Sequence, residues 1–429
     1  MHESGRQTHL TEKVIRLENG GMNVDFIHTS EGLLRIGAMP DVSKMAARFD
    51  LDDSLVAVPA WEVSQAGDNY TGEEFVFWRA QVYGHEGRKY IGSPDCVNQL
   101  KSKLDAVFPY FFDDERIHIV RKAWLDNWFL ARPVETLYHN RDLKVEFTGD
   151  NITVSDNGEP VYNRLDLAPS LLPDDAVENR LAAVSPDPVA RENLTITAIG
   201  SGNGFSGKSA SILARFGKRA VWIDPCAFPA HSLADTNVHW DDITDILITH
   251  NHEDHMSGFS ACLCRCERQK RRLRLITGKN IFRILKQQFS PLFPDMDQLV
   301  EFRELKPGTP LQIGGITVDA RWNHHFLPFG TLGLRISAGG KTCGISGDTK
   351  FSTAINAVVG RPELDPAWFA DCDLILHEVD FVSADGVHSY WEEVAKIRDT
   401  VSGTLYGYHS PEVESPPLPQ VRDGQTFTL

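Results

Sequence analysis

Ile246-Leu247-Ile248-Thr249-His250-Asn251-His252-Glu253-Asp254-His255-Met256-Ser257-Gly258 is an apolar run that breaks into three histidines and an aspartate within six residues. The apolar part predicts a strand, and the polar cluster sits where that strand ends and a helix begins. His250 and His252 are two apart, so extended backbone turns both side chains to one face. Asp254 and His255 fall in the turn and the helix N-terminus, where a second cation could take them. Packing alone has no use for four such groups, because each is costly to bury without a partner. The stretch reads as a metal site at a strand end.

A site for two cations needs further ligands from other strand ends, and three short segments offer them. His324-His325-Phe326-Leu327-Pro328-Phe329-Gly330 follows an alternating strand from Ile316 to Trp322. Gly344-Ile345-Ser346-Gly347-Asp348-Thr349-Lys350 sets an aspartate after a strand and a glycine. Leu405-Tyr406-Gly407-Tyr408-His409-Ser410 ends a strand in a histidine.

Upstream, Leu194 to Gly200 alternates as a strand and runs into Gly200-Ser201-Gly202-Asn203-Gly204. A dinucleotide fold needs a helix directly after such glycines. Here a hairpin follows instead, Ser209 to Phe216 and Ala220 to Ile223 around Gly217-Lys218. Downstream, Cys262, Cys264 and Cys266 are two apart on a helix, so they cannot share one face as a metal site. The basic run Arg268, Lys270, Arg271, Arg272 and Arg274 reads as a solvated face, with an anion-attracting rim as the alternative.

The chain of 429 residues is long for one core, so two domains are expected. Pro169, Pro173, Pro186 and Pro188 punctuate a linker at about 166–192. That divides residues 1–190, a mixed α/β domain without recognisable chemistry, from a catalytic domain at 191–429. In the first part Phe75 to Tyr83 reads as a strand, Val97 to Phe108 as a helix, and Phe108-Pro109-Tyr110-Phe111-Phe112 as core. Ile152-Thr153-Val154 and Pro160-Val161-Tyr162 flank Asp156-Asn157-Gly158 as a hairpin. His85, His118 and His139 are scattered singly, and no internal repeat is visible.

Hydrophobic residues at 41% and charged residues at 24% fit a folded globular protein. The net charge of −16 disfavours long nucleic acid as a partner. No apolar run reaches the roughly 20 residues of a membrane helix, and the start lacks a signal-peptide core. Seven irregularly spaced cysteines read as reduced thiols, so a cytoplasmic protein is expected.

Taken together, His250-Asn251-His252-Glu253-Asp254-His255, the later histidine, Gly347-Asp348-Thr349 and His409 resemble the metallo-β-lactamase-fold hydrolases over about Leu194 to Ser410. Within them the sequence is most similar to the branch of ribonuclease Z and related phosphodiesterases. Three details carry that likeness: His325 with Pro328 three residues on, Leu374-Ile375-Leu376-His377-Glu378, and His388-Ser389 before a Glu-rich helix. The resemblance implies an α/β protein whose C-terminal half is an αββα four-layer sandwich. It implies one metal on His250, His252 and His325, another on Asp254, His255 and His409, and Asp348 bridging both. His324 competes with His325, and the Pro328 offset favours His325. Asp254, His388 and Glu378 form the implied catalytic set, His388 as proton donor and Glu378 as its orienter.

A nitrogen and oxygen ligand set suits two divalent ions, zinc before manganese or iron. Such a pair would stabilise a bridging hydroxide and growing phosphoryl charge. The glycine- and proline-rich arm that grips tRNA in ribonuclease Z is missing from this sequence. A small phosphodiester, such as a cyclic nucleotide or short oligonucleotide, is therefore the expected substrate. An amide, thioester or lactone is the alternative bond, and an N-terminal binding module with an attached hydrolase is the third reading. A homodimer and a protein partner for residues 1–190 are further expectations, and no membrane is.

Overall fold

The computed structural model describes residues 5–76, 88–107, 129–131, 138–140, 142–148, 151–164, 174–187, 189–205, 208–325, 330–352, 354, 357–358, 360, 366–384, 386–411 and 413–429. The chain divides into two compact units, Met1–Val177 and Glu178–Leu429, within the proline-punctuated stretch.

In the N-terminal unit a seven-stranded sheet runs in the order Arg6–His9, Val14–Asn19, Met22–Thr29, Gly32–Ile36, Asp53–Ala57, Lys89–Gly92, Phe129–Ala131. The first four strands are antiparallel neighbours and the last four are parallel. A second, antiparallel sheet joins Tyr138–Asn140, Leu143–Thr148, Asn151–Asp156 and Glu159–Arg164. Val14, Ile27, Leu34 and Ile91 meet Leu143, Val145, Ile152 and Val154 in one core, so the two sheets share their apolar faces.

The expected hairpin is present, with Asn157 at φ 54° and Gly158 at φ 80°, the left-handed pair that a two-residue turn between twisted strands requires. The expected helix spans Pro94–Val107. Residues 73–76 are helical where a strand from Phe75 was expected. The remainder of that strand, His85, His118, the Phe108–Phe112 cluster, Pro169, Pro173, Pro188 and Pro328 lie outside the described residues.

Beneath this fold lies a buried ion network. Arg35 pairs with Asp53 at 3.0 Å and Glu73 at 2.6 Å, and Arg88 pairs with Asp53 at 2.6 Å. Burial works against the Glu73 charge, yet Arg35 and Arg88 hold its carboxyl down at about 2. Breaking one member of such a network strands a charge in the core, which costs more than the intact pair contributes.

The C-terminal unit is an αββα four-layer sandwich. Its first sheet runs Val300–Glu304, Leu273–Thr277, Asp245–Leu247, Arg219–Ile223, Ser211–Gly217, Arg191–Gly200, Thr426–Thr428. Its second runs Leu311–Ile313, Ile316–Trp322, Leu332–Ala338, Lys341–Ile345, Leu374–Glu378, Thr404–Tyr408. Leu194 to Gly200 is buried without alternation, as a strand covered on both faces must be. Helices Pro229–Asp235 and Phe259–Arg268 cover the first sheet, and Trp391–Ile397 packs Val394 and Ile397 onto Ile375 and Leu405 of the second. Among the described residues no helix is long and apolar enough to cross a membrane.

Candidate metal and catalytic centre

The C-terminal ends of the parallel strand Asp245–Leu247 in the first sheet and of Leu374–Glu378 and Thr404–Tyr408 in the second lead into one crevice, the usual place for a site in an α/β sheet. His250 and His252 follow the first, Glu378 closes the second, and His409 follows the third. Two glycines are sterically required nearby. A Cβ on Gly258 would lie 2.3 Å from the Cys226 carbonyl, and one on Gly347, at φ 58°, 2.3 Å from the Leu332 carbonyl. Gly347 thereby lets the chain turn Asp348 inward. His409 itself holds a left-handed φ of 51°, an unfavourable conformation for a residue with a Cβ.

The seven expected ligands converge. Ligand atoms of His250, His252, His325 and Asp348 all lie within 4.8 Å of one another, as do those of Asp254, His255 and His409. Asp348 reaches both groups. Its Oδ2 is 3.7 Å from His250 and from His325, while its Oδ1 is 3.2 Å from His255 and 3.8 Å from His409. Among the described residues His324 joins neither group; its carbonyl accepts from Lys350 N at 2.6 Å.

The electrostatics suit a cation. Burial, and then the neighbouring His255, hold His250 well below the usual imidazole range, and burial does the same to His325. Burial also opposes charge on His255, but Asp348 and Asp254 outweigh it and raise it well above that range. His252 Nδ1 lies 3.0 Å from His250 Nε2 and 3.4 Å from His325 Nε2, and His409 Nδ1 is buried without a hydrogen-bond partner. This donor set of nitrogen and carboxylate oxygen fits a divalent cation.

Beside it, Glu378 is fully buried and accepts at Oε1 from Thr349 N at 2.8 Å and Ser389 N at 3.1 Å. Its Oε2 takes His388 Nδ1 at 2.5 Å, and that nitrogen lies 3.9 Å from Asp348. Burial disfavours the imidazolium, but Glu378 outweighs it and raises His388 to about 9. His388 is about one-third exposed, with a side-chain accessibility of 31%, so its Nε2 is the nitrogen left to face a substrate.

Several supporting residues give no sign in the sequence. Asp224 Oδ1 accepts from Thr249 N at 2.7 Å; its Oδ2 accepts from Thr249 Oγ1 at 2.6 Å and from His255 Nδ1 at 2.9 Å. Thr249 Oγ1, having donated its proton, accepts from His250 Nδ1 at 3.0 Å. One carboxylate thus fixes the tautomer of a histidine in each group, leaving both Nε2 atoms to the centre. Asp224→Ala is expected to weaken zinc binding by about 10–100-fold; calorimetric titration checks it, with circular dichroism reporting a retained fold. Asn323 Nδ2 donates to the Ser346 carbonyl at 2.5 Å and the Asp348 carbonyl at 3.1 Å, tying down the aspartate loop.

Part of the basic run, with Arg265 before it, is engaged by the fold. Arg265 and Arg271 lie over the Trp240 ring, Arg272 donates to the Val300 carbonyl and Arg274 to that of Thr244. Arg268, Lys270 and Arg272 are exposed, in line with the solvated face expected of the run. All seven cysteines are free, and none joins a metal-holding group among the described residues.

Comparison with known proteins adds the following. The sequence profile of the family described as Anti-Pycsar protein Apyc1 matches residues 194–425, more than half of the chain. The cGMP-dependent 3',5'-cGMP phosphodiesterase A of Dictyostelium discoideum is 28% identical over 160 residues, 36% of this chain and 18% of that protein. The chain therefore spans under a fifth of the curated relative it matches. Among solved structures, the metallo-β-lactamase fold protein YhfI of Bacillus subtilis aligns at TM-score 0.45 and 18% identity, over 55% of this chain and 99% of its own. The short form of human tRNase Z aligns at 0.44 and 16%, over 54% and 98%. A long form RNase Z from yeast aligns at 0.41 and 10%, over 95% and 69%.

Proposed function

The chain belongs to the family described as Anti-Pycsar protein Apyc1, and from that premise we propose that it is a binuclear metal-dependent phosphodiesterase acting on a small phosphodiester, such as a cyclic nucleotide or short oligonucleotide. The His388–Glu378 pair carries this reading: a proton donor, poised by a buried carboxylate, stands beside the donor cluster. A phosphodiester expels an alkoxide, a strong base that must be protonated as it leaves.

His250, His252 and His325 would hold one ion and Asp254, His255 and His409 the other, with Asp348 shared; zinc is the preferred metal, manganese or iron the alternative. Bound there, two divalent ions supply an activated water at neutral pH and charge for the phosphoryl oxygens. The chain's own residues do the rest. Glu378 keeps the His388 proton on Nδ1 and so directs Nε2–H at the leaving oxygen. Thr349 N and Ser389 N keep Glu378 in place through that proton transfer.

The activity for which the Dictyostelium relative is named supports a cyclic nucleotide, and the net charge of −16 favours a small anion over a long one. The test is turnover of bis(p-nitrophenyl) phosphate and of 3',5'-cyclic nucleotides by the zinc- or manganese-loaded full chain. Turnover of both supports the proposal. Turnover of neither, with two metals bound, overturns it in favour of an amide, thioester or lactone.

A further inference from the structure

Strand pairing in the two units follows one plan. Read from the edge at Arg6–His9, the first sheet of the N-terminal unit pairs antiparallel three times and then parallel three times. Read from Thr426–Thr428, the first sheet of the C-terminal unit does the same. Each is followed by a four-strand antiparallel meander, Tyr138–Asn140 to Glu159–Arg164 in one and Leu311–Ile313 to Lys341–Ile345 in the other.

The agreement extends to single residues. Ile36 pairs with Ala57, and Ile223 with Leu247. Five residues beyond each isoleucine stands a left-handed residue, Asp41 at φ 57° and Phe228 at φ 52°, heading a seven-residue helix. Each helix ends before a second left-handed residue, Asp50 at φ 56° and Asn237 at φ 53°. The next amide returns to the helix in both, Leu51 N to Ala46 O and Val238 N to Leu233 O, each at 2.9 Å. Val58 N donates to Ile91 O as Ile248 N donates to Ile276 O. Three residues past Ile91 and Ile276 the helices Pro94–Val107 and Lys279–Phe289 begin. Left-handed non-glycine residues are uncommon, so two at matched offsets do not arise from generic α/β packing.

We infer that Met1–Val177 is a second copy of the metal-binding fold whose metal site has been replaced by a salt bridge. Counting from the paired strand ends, Ala60 and Glu62 stand where His250 and His252 stand. After a four-residue insertion that forms the short hairpin Val63–Ser64 and Gly67–Asp68, Asp68-Asn69-Tyr70-Thr71-Gly72 keeps the internal spacing of Asp254-His255-Met256-Ser257-Gly258, with asparagine for the histidine. The nine-residue connection that carries His325, between Ile316–Trp322 and Leu332–Ala338, is cut to two residues between Leu143–Thr148 and Asn151–Asp156. The surviving aspartate has found another cation. Asp68 Oδ2 lies 3.2 Å from Lys103 Nζ, and its Oδ1 accepts from Trp61 Nε1 at 2.9 Å and Tyr70 N at 2.8 Å. Lys103, itself fully buried, also meets Glu74 at 3.3 Å. An ammonium built into the chain takes the place of a metal ion.

The copy does not depend on the reaction proposed for the C-terminal unit, and its test is independent of turnover. In the full chain, Asp68→Asn is expected to leave zinc or manganese per chain unchanged by elemental analysis. Lys103→Met is expected to do the same while lowering the thermal midpoint of the N-terminal unit by roughly 10 °C, since it strands buried carboxylates. Metal lost on Asp68→Asn, or a midpoint unmoved by Lys103→Met, overturns the replacement of the site. An experimental structure in which Ile36, Asp41, Asp50 and Ile91 do not superpose on Ile223, Phe228, Asn237 and Ile276 overturns the kinship, whichever variants fold.

Discussion

Asp348→Ala is expected to reduce turnover of a phosphodiester by on the order of 10³-fold or more while leaving the chain folded. Asp348 is buried at 2% exposure, between four of the histidines. Burial opposes its charge, yet His409 and then His255 hold the carboxyl well below the usual carboxylate range. It is therefore the fixed negative charge against which both groups of ligands are arranged. Metal-derived charge stabilisation is worth several kcal/mol, and each 1.36 kcal/mol is a decade of rate. On the proposed two-ion reading, removing Asp348 would disturb both sites at once, so metal content per chain should fall together with turnover. Asp348→Asn separates the two parts of the argument, because it keeps the shape and removes only the charge. Full turnover with two metals retained in Asp348→Ala would remove the aspartate from the centre.

The parts of this centre that were legible in the sequence are those carried by one segment. His250 to His255 stands out because strand end, turn and helix start bring four metal-binding side chains together within six residues. Asp348 and His409 stand out because each follows a strand and breaks its pattern. Asp224, Thr249 and Asn323 do not stand out, since their roles lie in hydrogen bonds between segments. Asp224 meets Thr249 across 25 residues, and Asn323 meets the Asp348 carbonyl across the same interval. Within the basic run the solvated face was legible, but the place of Arg271 was not, since whether an arginine faces water or lies over Trp240 depends on a ring about 30 residues away in sequence. The repeated plan of the N-terminal unit is hidden more deeply. It is conserved in backbone pairing and in left-handed positions, which Asp41 and Phe228 fill with unlike side chains. Where apolar Trp222 precedes Ile223, charged Arg35 precedes Ile36, so even the core chemistry was exchanged.

His388→Ala is expected to lower kcat by about 10²–10⁴-fold on a substrate that expels an alkoxide, with metal content unchanged. The loss should be far smaller on bis(p-nitrophenyl) phosphate, because p-nitrophenolate leaves without a proton. A purely structural role for His388 would affect both substrates alike. The pH dependence gives a second, independent handle. The protonated imidazolium is the active form of a general acid, and Glu378 raises His388 to about 9 against the opposing effect of burial. The proton is thus present through neutrality and is lost as pH rises through that value, giving a rate that declines on the basic side. Bound cations disfavour the imidazolium, so the decline should be centred at or below about 9. Glu378→Gln removes the strongest raising influence and should carry the decline down toward the ordinary imidazole value of about 6.5. His388→Ala should abolish that limb altogether. A basic limb that persists unchanged in His388→Ala would assign the proton to another donor and leave Glu378 as packing for the loop at Ser389.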